Sequence, residues 1–534
     1  MKNHRFMPLY LALAVVVGLL TGTFYGSHFA GGQRLSIINA GSNKLQNLLH
    51  IVDDQYVDTV SVGDLVEKAM PVLLSELDPH STYISAKDAQ QAEDDLSGSF
   101  SGVGIEFVIR DDTLRVQNVI QGGPSERAGV LAGDMIVSVD GNDFTGQELT
   151  NDRAIHTLKG PEGTKVKLGV KRWGEKNLRE ISVTRGEIPT HSIAAVYMMD
   201  GETGYIKIKK FSESTYMELL VALAQLSQQG FQGLVLDLRG NTGGYLRAAV
   251  QVANEFLPKE RLIVYTEGRK SPREDYYSDG RGSYRSMPLV VLIDETSASA
   301  AEILAGCIQD NDRGTIVGRR SFGKGLVQTP VAFNDGSMVR LTIARYYTPS
   351  GRCIQKPYTP GGEDDYAGDL VQRLQRGEFY SADSIKHEGP EYHTVGGRVV
   401  YGGGGITPDI FVPEDTSDYT SYYKEAAMRG LILNYAYQYT DTHRKELAGL
   451  EDMPALERHL KRQDLVEKFA QWAEKNGLKR RNLMIQKSHR LLEEYITCRI
   501  IYNIQNEAAL TQYLNQRDPV IKETLKVMKE ERGE

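Results

Sequence analysis

The sequence predicts a chain of several domains, mixed α/β and β in class. An N-terminal membrane anchor leads to a helical segment, a small β-rich module, an α/β core and a helical C-terminal region. Three observations carry this prediction. A basic flank and one apolar run open the chain, strand-like and helix-like stretches alternate from Gly204 onward, and the chain from Asp418 to its end is charged, helix-patterned and poor in breakers. The length of 534 residues exceeds one ordinary core, at roughly 100–200 residues per domain.

Composition removes several classes. With 40% hydrophobic and 25% charged residues the chain is neither disordered nor fibrous. Lys+Arg is 62 against Asp+Glu 70, a net charge of −8, so no whole-chain argument for nucleic-acid binding arises. Cys307, Cys353 and Cys498 lie far apart without CxxC spacing, which suggests neither a zinc site nor a disulfide framework.

Taken in order, Lys2, His4 and Arg5 precede an apolar run from Met7 to Tyr25 centred on Leu11–Leu20. Its length fits a signal peptide or a single membrane anchor, and the positive flank predicts that the rest of the chain lies on the extracytoplasmic side, in the cell envelope (periplasm). No clean small-x-small cleavage site follows, which favours an uncleaved anchor over residues 1–30. Residues 31–95 read as helical, with Leu45, Leu48, Leu49, Val52 and then Leu65, Met70, Leu73, Leu74 at helical spacing, broken at Asp78-Pro-His-Ser81. Residues 96–188 read as short strands with turn signals, among them Val103–Phe107 and Met135–Val139, the latter ending in the turn pair Asp140-Gly141; Arg153–Leu158 is a helix between strands.

From 189 to 415 the pattern is α/β. Tyr205–Ile208, Gly233–Leu238 and Leu289–Ile293 read as strands, with helices over Met217–Gln229, Leu246–Leu257 and Ala300–Gln309, so the strands are expected to be parallel. Residues 354–404, rich in Gly, Pro and Tyr, read as a long insertion. Residues 416–534 form a separate helical region.

Three segments concentrate the chemistry, all at the carboxyl ends of expected strands, where parallel sheets place their sites. They are Asp237-Leu-Arg-Gly-Asn-Thr-Gly-Gly244, Thr296-Ser-Ala-Ser-Ala-Ala-Glu302, and Gly318-Arg-Arg-Ser-Phe-Gly-Lys-Gly-Leu-Val-Gln328. Ser299 opens a helix with Glu302 three residues on, a capping-box spacing. The structural reading is a serine satisfying orphan amides. The functional reading uses the same geometry: a serine beside free N–H groups and the positive end of a helix, with the Ala300 N–H as nearest oxyanion donor. Small neighbours, Ala298, Ala300 and Ala301, leave room for a carbonyl.

Lys324 is the base candidate, flanked by Gly323 and Gly325 with Phe322 as apolar cover; the alternative is a surface lysine in a glycine turn. A lysine accepts a proton only when neutral, and bringing its pKa from ~10.4 to near 7 takes an environment worth roughly 4–5 kcal/mol. Gly318-x-x-x-x-Gly323-Lys324 also matches most of a phosphate loop, but Gly325 replaces the required Ser/Thr and a proline-containing strand pattern follows, which argues against a nucleotide site. In the first segment, Gly243 or Gly244 is expected to offer the second oxyanion donor, with Asp237 and Arg239 as local scaffolding.

Together these motifs resemble the C-terminal processing (tail-specific) peptidases, family S41 of the serine proteases, whose pattern is a DLRxNxGG loop, a SASAxEI turn and a FGKGxVQ loop in that order. The lysine lies 25 residues after the serine (299 to 324). The resemblance implies that Ser299 is the nucleophile, Lys324 the general base and Gln328 the residue that orients the lysine, a serine–lysine variant of the triad logic. It reaches outward. Leu77–Tyr83 and Gly102–Phe107 resemble the family's approach to a PDZ domain, Ser125–Gly141 its core, and Gly405-Ile-Thr-Pro-Asp409 its closing motif. A PDZ groove binds an extended C-terminus by strand addition and captures its carboxylate on backbone amides; Gly102, Val103, Gly104 and Ile105 form the candidate loop. The covered stretch runs from about 40 to 415, leaving the helical tail and the 354–404 insertion unexplained. Gly240 stands where many relatives carry Asn.

The expected activity is therefore hydrolysis of protein substrates recognised through exposed C-termini, with no metal or organic cofactor and no nucleic acid. The N-terminal helices resemble family dimerisation segments, which implies a homodimer. Two other readings are separable by mutation: a catalytically inactive, membrane-tethered PDZ adaptor, and a hydrolase using a histidine base.

Overall fold

The computed structural model describes residues 15–17 and 44–533, apart from positions 121, 173, 174, 176, 388 and 451. The expected anchor, Met7–Tyr25, lies outside the described residues except for Val15–Val17; among those described, no helix is long and apolar enough to cross a membrane. The chain divides into two units, residues 1–70 and 71–534. The first contains the helix Lys44–Gln55, and the helix Val62–Ser75 begins in it.

In the second unit the α/β core is a six-stranded sheet. Its order is Ile193–Met198, Thr203–Ile208, Gly233–Asp237, Leu289–Ile293, Thr315–Gly318 and Ile410–Phe411, antiparallel in the first pair and parallel in the rest. Helices Thr215–Gln228, Leu246–Asn254 and Ala300–Asp310 cover one face around Leu219, Leu223, Val252, Ile303 and Leu304. The other face is closed by the final helix, Pro519–Arg532, whose Val520, Ile521, Val527 and Met528 pack on Tyr205, Val235, Val290, Leu292 and Val317. Burial on both faces explains why Gly233–Asp237 and Leu289–Ile293 read as unbroken apolar runs without alternation. It also corrects the expectation of a separate tail: Ser421–Met428 through Glu507–Asn515 make their own core, but the last helix belongs to the sheet.

A second sheet brings distant segments together. The long strand Met338–Tyr347 pairs with Leu326–Ala332 along one side, and with Thr82–Ile84 and Leu262–Glu267 along the other. Leu326–Ala332 is an edge strand, which is why it tolerates Pro330. The 354–404 insertion is structured around the helix Glu363–Gln375 and the ribbon Glu391–His393/Val399–Tyr401.

The β-rich module orders its strands as Ile105–Arg110, Thr113–Val119, Met135–Val139, Lys165–Lys171 and Arg179–Thr184, around Leu114, Ile136, Val166, Leu168 and Val183. Asp140 and Gly141 both take positive φ (50° and 81°), the turn that Asp-Gly predicts between Met135–Val139 and Asn142–Asp143. The chain enters and leaves the module through one antiparallel ribbon, Ser99–Gly102 with Gly186–Pro189. Polar contacts join the module to the C-terminal helices: Arg115 to Asp441 at 3.3 Å, Gln117 to Asn503 at 3.2 Å and Tyr502 to Glu106 at 3.2 Å.

Candidate active site

The three motifs converge into one hydrogen-bonded cluster. Strand Leu289–Ile293 ends, and Ser297 donates its hydroxyl to the Leu238 carbonyl at 2.8 Å. Ala298 N–H donates to the Asn241 carbonyl at 2.9 Å, and Phe322 N–H to the Ser297 carbonyl at 2.9 Å. Ser299 then takes φ 55°, ψ −115°, a conformation that L-residues adopt at about 1–3 kcal/mol and that turns the chain sharply into helix Ala300–Asp310.

Glu302 organises this turn. Its fully buried carboxylate accepts Ser299 N–H (2.9 Å) and Lys324 N–H (2.8 Å) on Oε2, and Gly323 N–H (2.7 Å) and the Ser321 hydroxyl on Oε1. Burial pushes the carboxyl up to about 7 against these four donors, which pull it down. On the far side, the Tyr346 hydroxyl lies between the carbonyls of Ser299 (3.1 Å) and Lys324. One oxygen and one hydroxyl thus tie the main chains of Ser299 and Lys324 together across 25 residues of sequence (299 to 324). Glu302 closes the capping box from its side by accepting the Ser299 N–H, and Ser299 itself is half-buried.

Lys324 is largely buried. Burial lowers its pKa below the ordinary 10.5 and the Arg340 charge adds to this, with Glu302 and Asp78 acting in the opposite direction. Among the described residues no hydrogen bond joins its amine to Ser299; the two residues are linked through their main chains, by Glu302 and Tyr346. The glycine turn carries no phosphate loop, since Gly325 leads directly into strand Leu326–Ala332. Gln328 donates its amide to the Thr342 hydroxyl at 3.3 Å.

The glycines of the first motif divide their work differently from expectation. Gly243 (φ 105°) lies directly against the serine: a Cβ there would stand 2.7 Å from Ser299 Cβ and 3.0 Å from Ala300 N. Its own N–H, however, donates to Asn241 Oδ1 at 2.8 Å, because the buried Asn241 side chain needs partners and also reaches the Ile208 carbonyl at 2.8 Å. Gly243 is therefore a close-approach residue and not a free oxyanion donor in this structure. Gly244 (φ 138°) is pressed on the Phe211 main chain, where a Cβ would meet the carbonyl oxygen at 2.0 Å. Ala300, at the first position of its helix, carries an N–H with no intrahelical acceptor. Gly240 (φ 77°) sits in the left-handed region that Asn also adopts, so the departure from the family pattern is conformationally neutral. Asp237 and Arg239 are scaffolding: Asp237 bonds Arg239 (2.7 Å) and Tyr205 (2.6 Å), its carboxyl held low by Arg239 and Lys207 against the effect of burial, and Arg239 reaches Asp518 at the head of the last helix.

Residues that were not among the sequence candidates for catalysis complete the site. Asp78 and Ser81 come from the Leu77–Tyr83 stretch; Thr342 and Tyr346 lie on a strand that no motif marks. His80, 2.8 Å from the Tyr366 hydroxyl, is lowered to about 4, first by burial and then by the Lys324 charge.

In the β-rich module, Gly104 (φ 76°) closes a tight loop in which a Cβ would lie 2.8 Å from Ile188, and the carbonyls of Val103 and Gly104 receive the N–H groups of Ser125 (2.9 Å) and Ile120 (3.1 Å). Gly102 ends the inbound ribbon strand, and Ile105 begins the edge strand of the sheet.

Fold and site together define an α/β peptidase core joined to a peptide-binding β module. Family models match accordingly: peptidase family S41 over residues 202–368, a PDZ domain over 101–184, and a family of unknown function (DUF8443) over 422–506. The chain is 38% identical over 309 residues to a carboxy-terminal-processing protease of Bartonella bacilliformis, covering 57% of this chain and 70% of that one. It is 33% identical over 372 residues to the carboxy-terminal processing protease CtpA of Bacillus subtilis, covering 68% and 79%. Among solved structures it is similar to a photosystem II D1 C-terminal processing protease, at 32% identity, TM-score 0.33, over 60% of this chain and 92% of that one. The chain belongs to peptidase family S41, the carboxy-terminal processing proteases, and is a serine-type peptidase bearing a PDZ domain.

Proposed function

We propose that this peptidase works through a Ser299–Lys324 dyad. Neutral Lys324 takes the Ser299 proton, and Ser299 Oγ attacks the scissile carbonyl. The oxyanion is held by the Ala300 N–H, with Gly244 N–H as the second donor; the amine leaves with the proton from Lys324, and water hydrolyses the acyl-enzyme. The observation that carries this reading is the shared anchoring of both residues on Glu302 Oε2 and Tyr346, combined with a lysine pKa lowered by burial.

The PDZ loop Gly102–Ile105 captures the substrate's terminal carboxylate, and the free edge of Ile105–Arg110 receives the tail as an added strand; that edge position in the sheet supports the reading. The Met7–Tyr25 run anchors the chain with the peptidase outside the cytoplasm. Two copies pair through the N-terminal helices, a reading supported by Lys44–Gln55, which has no buried residue and exposes Leu45, Leu48 and Ile51.

The test compares wild type with Ser299→Ala on a model protein carrying a C-terminal tail. The variant is expected to lose proteolysis while binding the tail peptide with unchanged affinity. Retained cleavage would remove Ser299 from the mechanism.

A further inference from the structure

The turn Asp78–Ser81 meets the active site through one side chain. Thr342 is the cross-strand partner of Gln328, and its hydroxyl stands 3.0 Å from Asp78 Oδ1 and 3.3 Å from Gln328 Nε2. A hydroxyl has one proton, and a carboxylate only accepts. The Thr342 proton therefore goes to Asp78, and the Thr342 oxygen is left to accept from Gln328. Valence alone then decides the orientation of Gln328: its NH2 faces Thr342 and its carbonyl oxygen points away.

Asp78 is itself locked. Oδ1 also receives the N–H groups of His80 and Ser81, each at 2.9 Å, and Oδ2 receives the Ser81 hydroxyl at 2.6 Å. Ser81 Oγ accepts the Thr342 N–H at 3.1 Å, and the following strand pairs Thr82 with Arg340. The N-terminal turn, the strand Met338–Tyr347 and Gln328 thus form one rigid chain of contacts.

We propose that Thr342, held by Asp78, is a positioning residue that acts through Gln328 by turning the amide carbonyl, and not its NH2, toward Lys324. This rests on the reading of Lys324 as the base and of Gln328 as the residue that orients it, which the family resemblance implies. A carbonyl accepts one N–H of the lysine amine and leaves the nitrogen lone pair free for the Ser299 proton. An NH2 in its place donates into that lone pair and caps the base. Arg340, Glu302, Asp78 and His80 are the charged and titratable groups that act on the same amine.

The test measures kcat, KM and the pH profile of cleavage of a tailed protein for Thr342→Val and Thr342→Ser in the full chain, with thermal unfolding alongside. Thr342→Val is expected to lower kcat by about 10- to 100-fold, the scale of a misplaced reacting group, with KM within about twofold. Its acid limb moves to lower pH, because an NH2 facing the amine disfavours the ammonium; Thr342→Ser rescues both. The same valine substitution made in a Gln328→Ala background adds no further loss of kcat, since Thr342 has nothing left to act through. Equal losses with and without Gln328, or an unshifted pH profile, overturn the proposal. If the valine form is unfolded at assay temperature, Thr342→Ala makes the same deletion without added bulk. Lys324→Ala separates the two levels: if it stays active, the base assignment fails; if it is inactive while Thr342→Val matches wild type, only the positioning role fails.

Discussion

Replacing Gly243 by alanine probes the serine turn from its most crowded side. The new Cβ would stand 2.7 Å from Ser299 Cβ, 2.9 Å from the Ala298 carbonyl oxygen and 3.0 Å from Ala300 N, all of them main chain or next to it and none the end of a flexible side chain. Restoring a 3.4 Å contact from 2.7 Å moves the serine by about 0.7 Å. A positive φ of 105° costs alanine about 1–2 kcal/mol and overpacking about 1–3 more, so destabilisation of about 2–5 kcal/mol is expected. A shift of that size at the attacking atom lowers kcat on the order of 10- to 100-fold, with little change in KM because the PDZ module is untouched. The assay pairs steady-state cleavage of a tailed protein with thermal unfolding and with labelling by a serine-directed phosphonate. Gly240→Asn is the control: it lies on the same loop at φ 77° with open space around it, and retains activity and stability. Gly243→Ala with wild-type kcat and wild-type unfolding would refute the placement of Gly243 against the serine.

Three further outcomes follow from the same geometry. Lys324→Arg abolishes cleavage without unfolding the protein, since a guanidinium stays protonated; in wild type, a lysine pKa lowered by burial means that activity rises with pH through a midpoint below 10.5, read from kcat/KM against pH. Tyr346→Phe removes the hydroxyl between the Ser299 and Lys324 carbonyls, lowering stability by about 1–2 kcal/mol in denaturant titrations and kcat with it. Met528→Ala, at a fully buried position on the second face of the core sheet, costs about 2–5 kcal/mol and lowers the melting temperature although it is remote in sequence from every motif; an unchanged melting temperature would show that the last helix is dispensable to the core.

How much of this molecule is written locally can be judged residue by residue. The parallel core strands were legible because a strand buried on both faces must be continuously apolar, and the Asp140-Gly141 turn because two positive φ angles need that pair. Ser299 and Lys324 were legible as motifs, since one lies just beyond a strand and the other in a glycine turn with small neighbours; Gln328, inside strand Leu326–Ala332, was implied by the family resemblance alone. Gly243 was legible as a glycine but not in its role: that its N–H is consumed by Asn241 depends on where a buried amide finds its partners.

What the linear order alone determined is therefore local: element type, turn chemistry, and the residue types able to carry acyl transfer. Only the tertiary structure decided which distant atoms share a neighbour. Glu302 Oε2 serving two amides, Tyr346 between two carbonyls, Thr342 between Asp78 and Gln328, and the last helix sealing the sheet all join residues that are far apart along the chain. The physical reason is that hydrophobic periodicity and backbone conformation are set by neighbours in sequence, whereas hydrogen-bond satisfaction and desolvation are set by neighbours in space.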